Sequence, residues 1–151
     1  ALAEEADAAE TDARGVRVLL ADDHPANRKV VEIMLGDSGV ELTMVEDGQQ
    51  ALDRFTSEPF DLVLMDMQMP VMDGLTATRA IRTLEAGTGR ARTPIVMLTA
   101  NALAEHVAAG KEAGADGHLA KPITLATLFA AIEAAMGAGE EGPSSGRAEA
   151  A

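Results

Sequence analysis

The chain contains no cysteine, no tryptophan and no tyrosine, and only three phenylalanines. Without cysteine there are no disulfides and no thiol catalysis, which fits a reducing compartment. Without Trp or Tyr the core must be built from Val, Ile, Leu, Met and Ala, and no such ring can stack on a flavin. Positive charge is scarce too: 12 Lys and Arg stand against 25 Asp and Glu, for a formal net charge of −13. That field repels phosphate backbones and anionic lipid, so neither nucleic acid nor a membrane is an expected direct partner. No apolar run approaches the roughly 20 residues needed to span a bilayer. No signal peptide is visible. A cytoplasmic location is expected. The first residue is Ala1 rather than Met, as in a piece of a longer protein, and that parent could itself be membrane-anchored.

What is present suits one compact domain. The 151 residues are 47% apolar, enough for a core. Residues 1–15 are rich in Ala, Glu and Asp, and read as a flexible acidic linker or a frayed helical extension. Residues 137–151 are rich in Gly, Ala and Glu, with Pro143, Ser144 and Ser145, and read as a flexible tail. The domain is expected over 16–136. Within it, short apolar runs predict strands at Val16–Ala21, Glu41–Val45, Phe60–Met65, Ile95–Leu98 and Gly117–Ala120. Helical spacing predicts helices at Asn27–Ser38, Gly48–Ser57, Leu75–Glu85, Ala102–Ala113 and Thr124–Met136, the fourth with a weak apolar pattern. Strict alternation of strand and helix predicts an α/β fold, a doubly wound five-stranded parallel sheet with helices on both faces. Such sheets bind ligands at the carboxyl ends of their strands, near the point where strand order reverses.

The residues at those ends are polar. The first strand runs into Asp22 and Asp23, the third into Asp66, the fourth into Thr99 and Ala100, and the fifth into Lys121 and Pro122. Any one of these could simply be a polar turn; all of them at one end of a sheet are much less expected by chance. Three gathered carboxylates repel one another and require a cation. An all-oxygen ligand set, with no His or Cys, points to a hard ion such as Mg²⁺.

The segments Leu19-Leu20-Ala21-Asp22-Asp23-His24-Pro25, Asp66-Met67-Gln68-Met69-Pro70-Val71-Met72-Asp73-Gly74, Leu98-Thr99-Ala100 and Lys121-Pro122 together closely resemble the receiver domain of two-component response regulators. The resemblance runs from about Val16 to Met136. The wording of Asp22–Lys29 and Asp66–Gly74 is most similar to receivers of hybrid sensor kinases. It implies the flavodoxin-like receiver fold and an Asp66 that acts as phosphoacceptor, forming an acyl phosphate. It implies a Mg²⁺ site of Asp23, Asp22 acting through water, Asp66 and the backbone carbonyl of Gln68. It implies that Lys121 pairs with Asp66 and then with a phosphoryl oxygen. Thr99 would bond another phosphoryl oxygen, and small Ala100 would keep the acceptor open to donor and water. The Lys121-Pro122 peptide matches a position that is usually cis in the family.

The implied function is phosphoacceptance from a phosphohistidine donor in a phosphorelay, as part of a hybrid histidine kinase; a stand-alone regulator acting through protein contacts is the alternative. Any catalysis would be of the domain's own phosphorylation and dephosphorylation. The implied partners are a histidine kinase or a histidine phosphotransfer protein, with self-association on phosphorylation as a further possibility. A haloacid-dehalogenase-type hydrolase would need an Asp two residues after the nucleophile, and Gln68 stands there. A flavodoxin-like cofactor carrier would need a phosphate-cradling Gly-rich loop, which is absent. A degenerate receiver would lack the acid set.

Four positions stay open. Asp73 is a helix cap before it is a catalytic group. His118 replaces the Tyr or Phe usual in the family three residues before the fifth-strand Lys; it could fill the same slot or simply be exposed. His24 and His106 carry little signal, His24 belonging to the loop that opens the first helix.

Overall fold

The structure is a computed structural model and describes residues 15–36, 38–100, 104–121 and 123–141. Five strands, β1 (Arg17–Ala21), β2 (Glu41–Val45), β3 (Leu62–Asp66), β4 (Ile95–Thr99) and β5 (Gly117–Ala120), alternate with helices α1 (Pro25–Met34), α2 (Gly48–Ser57), α3 (Gly74–Thr88), α4 (Ala104–Ala113) and α5 (Leu125–Glu141). The strands form one parallel sheet in the order β2-β1-β3-β4-β5, the doubly wound arrangement expected from the alternation. Strand order reverses between β1 and β3.

Strand alternation builds two cores. Leu19, Val63, Met65, Ile95 and Met97 pack with Phe55 of α2 and with Ala77 and Ile81 of α3. Val18, Leu20, Leu62, Leu64, Val96 and Leu98 meet Val31 and Leu35 on one side and Leu128 and Ile132 of α5. Each fully buried Leu, Ile, Met or Phe contributes roughly 1.5–3 kcal/mol. Every residue of β3 and β4 is buried, as strands covered on both faces should be, whereas β5 at the edge has none buried.

The boundaries that differ have local causes. α1 begins at Pro25 rather than Asn27, because proline's fixed φ suits the first helical position. β3 starts at Leu62 rather than Phe60 and takes in Asp66. Asp73 caps α3, its side chain accepting from Thr76 N at 2.7 Å, and Gly89 ends that helix at φ 75°. α5 continues to Glu141 instead of stopping at Met136, so the expected tail loses its first residues to the helix. The expected acidic linker, the far tail, Ala102, Leu103 and Pro122 with its peptide lie outside the described residues, save for Gly15 at the end of the linker.

Candidate functional site

Because β1 and β3 pair directly, in the register Ala21 with Met65, the residues that leave them come together. Asp22 and Asp66 are almost fully buried. Lys121, leaving β5, places Nζ 3.2 Å from Asp22 Oδ2 and 3.2 Å from Asp66 Oδ2. Asp23 is partly exposed beside them. Burial raises the Asp66 pKa, the Asp22 charge raises it further, and Lys121 pulls it back. Among the described residues, neither Asp22 Oδ2 nor Asp66 Oδ2 has a hydrogen-bond partner, despite the nearby ammonium, and Asp23 Oδ1 has none either. Three ionised carboxylates against one ammonium leave two negative charges uncompensated. That deficit is what one divalent cation supplies, so the residues fit a Mg²⁺ site.

The loop after Asp66 is held tightly. Met67 N donates to Leu98 O at 2.9 Å, and Gly74 N to Met67 O at 3.0 Å. A Cβ on Gly74 would collide with the Asp66 carbonyl oxygen; close approach, not an unusual angle, is why glycine stands there. Met72 N donates to Pro70 O at 2.6 Å, closing a γ-turn over Val71 at φ 67°. A β-branched residue is strained in that region. Gln68 is exposed, its N–H 3.5 Å from Asp66 Oδ1.

Thr99 ends β4 and is buried, with Ala100 exposed beyond it. Lys121 N donates to Thr99 O at 2.8 Å, so Thr99 and Lys121 sit on paired backbone. His118 faces α4. A Cβ on Gly110 would strike its Nε2, so the imidazole lies in a notch that only glycine leaves open. Nε2 is buried with no hydrogen-bond partner among the described residues, and burial, then Lys111, lowers the His118 pKa. The ring therefore packs against α4 with Nε2 turned away from solvent.

The structure brings a histidine beside the acid cluster: Asp22, Asp23, His24 and Asp66 each offer an atom within 4.8 Å of the others. His24 does open α1, at its N-cap, but its ring turns to the acids. Its sequence position beside Asp23 was the available signal. A groove of about 640 Å³ between β5 and α5, lined by Val96, Leu119 and Thr127 among others, contains none of these acids; charge chemistry locates the site, not cavity size.

Comparison with known proteins agrees with this geometry. The response regulator receiver domain family matches residues 18–133. Sensor protein GacS of Pseudomonas syringae pv. syringae is 48% identical over 111 residues, which span 74% of this chain but 12% of GacS. The receiver domain of the sensor histidine kinase PA1611 from Pseudomonas aeruginosa PAO1, solved with a magnesium ion in its active site cleft, is 40% identical. It superposes with TM-score 0.73 over 81% of this chain and 98% of that one. The receiver domain of Ssk1 from Saccharomyces cerevisiae, solved with the histidine phosphotransfer protein Ypd1, is 26% identical at TM-score 0.73, over 76% of this chain and 83% of that one. The chain belongs to the response regulator receiver domain family.

Proposed function

We propose that this receiver accepts a phosphoryl group from a phosphohistidine donor onto Asp66, as one module of a hybrid sensor kinase phosphorelay. In this reading residues 16–136 form the receiver module, with linker and tail on either side. The observation that carries it is the buried Asp66 carboxylate at the β3 end, within reach of Lys121 and beside Asp22. Asp22, Asp23, Asp66 and the Gln68 carbonyl would hold Mg²⁺. Bound there, the ion draws charge off the phosphoryl oxygens.

The chain's own groups do the rest. An ionised Asp66 oxygen attacks phosphorus in line, the donor's N–P bond breaks, and the electron pair leaves with the imidazole nitrogen. Asp22 and burial oppose ionisation of Asp66, while Lys121 favours it. Lys121 then follows the charge from carboxylate to phosphoryl oxygen as a point cation. The Thr99 hydroxyl bonds a second phosphoryl oxygen, and Ala100 leaves room for the donor. Kinase parentage is supported by GacS, and a histidine phosphotransfer partner by the Ssk1 pairing.

Incubation with acetyl phosphate and Mg²⁺ tests the reading. The chain should take one phosphoryl group, and Asp66→Asn or excess chelator should abolish uptake. Undiminished labelling of Asp66→Asn would remove Asp66 from its role.

A further inference from the structure

The acid cluster contains a donor that a Mg²⁺ site does not need. His24 occupies the N-cap of α1, where Ser, Thr, Asp or Asn would satisfy a free N–H, yet its side chain makes no capping bond. The side chain is 64% exposed, free to point to water, and still Nδ1 lies 3.1 Å from Asp23 Oδ1 and 3.5 Å from Asp22 Oδ1. These separations match the edges of a coordination sphere. Ligands at right angles on bonds of about 2.1 Å stand roughly 3.0 Å apart, and tetrahedral ligands on bonds of about 2.05 Å roughly 3.3 Å apart.

The cluster is also divided in a telling way. Lys121 approaches Asp22 and Asp66 through their Oδ2 atoms, while His24 stands on the Oδ1 side of Asp22 and beside Asp23. Asp23 Oδ1 is buried and has no hydrogen-bond partner among the described residues. An ion between Asp23 and His24 would meet that oxygen and the ring nitrogen without displacing the ammonium from Oδ2.

We propose that His24 is a nitrogen ligand, which adapts this receiver's metal site to a borderline transition ion of the Cu²⁺–Zn²⁺ class as well as to Mg²⁺. Imidazole suits such ions, whereas Mg²⁺ prefers oxygen and keeps its waters. The ring would bind through unprotonated Nδ1, leaving Nε2–H toward solvent. This rests only on the metal-site part of the function proposed above.

The test uses the full chain without any phosphoryl donor. Cu²⁺ is bound, and electron spin-echo modulation is recorded for the parent, His24→Ala and His24→Asn. Calorimetric titrations with Zn²⁺ and Mg²⁺ accompany it. The expected result is nitrogen modulation in the parent and none in either variant. Zn²⁺ affinity should fall about tenfold or more in His24→Ala, with Mg²⁺ affinity held within about twofold. Cu²⁺ bound by carboxylates with no nitrogen modulation would overturn the inference and leave Asp66 chemistry intact. Equal loss of Zn²⁺ and Mg²⁺ binding in His24→Ala would overturn it too. A failure of Asp66 to label would leave the nitrogen signal as informative as before.

Discussion

The corner where β1, β3 and the start of α3 meet differs from the edge where β5 meets α4. At the corner every strand residue of β3 is buried, Asp66 and Gly74 touch backbone to backbone, and Asp73 caps the helix that follows. At the edge no β5 residue is fully buried, and α4 buries only Gly110 and Ala113. The groups assigned to nucleophile and metal lie in the first region. Thr99 and Lys121, assigned to respond to the phosphoryl group, border the second. A receiver needs both kinds of region: geometry fixed where the bond forms, and weakly held elements where the new charge is read.

The same substitution in both regions should expose the difference. Gly74→Ala drives a methyl group into the Asp66 carbonyl, which cannot move without the strand. We expect a loss of about 3 kcal/mol or more in urea unfolding. Gly110→Ala drives the same methyl into the His118 ring, a side chain that can swing outward at the edge. A loss of about 1 kcal/mol is expected there. Equal costs at the two sites would break the contrast.

Asp66→Asn sharpens it from the charge side. The Asp66 carboxylate is destabilised by burial and by Asp22, so the amide should raise stability without metal by about 1 kcal/mol. Added Mg²⁺ should narrow or reverse the gap. A variant less stable than the parent without metal would show that Lys121 outweighs the repulsion.

His118 gives the smallest effect. Its folded pKa lies below the ordinary value of 6.5, through burial first and Lys111 second. Its contribution to stability is complete above that value and is lost as pH falls through the lowered folded pKa. Between pH 7.5 and 5.5 the parent should lose more stability than His118→Phe. Asp66 titrates with the opposite sign, but equally in both proteins. Identical pH profiles would place the ring outside the notch at Gly110.

Much of this was legible in the chain itself. The β2, α2 and β5 boundaries follow from apolar period alone. The acids could be grouped because parallel strands deliver their carboxyl ends to one edge. Asp73 as a cap was legible because capping is local. The fit of His118 to Gly110 was not, since residues on different elements meet only through packing. Nor was the direction of the His24 ring, which depends on the backbone angles of one cap residue. The γ-turn at Val71 is hidden for a related reason: a β-branched residue gives no sequence warning of positive φ.

The central claim is that charge added at Asp66 is read at the loose edge. Hydrogen exchange on the metal-free protein and on its Mg²⁺–beryllofluoride complex, which stands in for the phosphoryl group, tests it directly. The account predicts altered protection through α4 and β5, residues 104 to 120, along with the Asp66–Gly74 loop. Changes confined to that loop, with α4 and β5 unaltered, would contradict it.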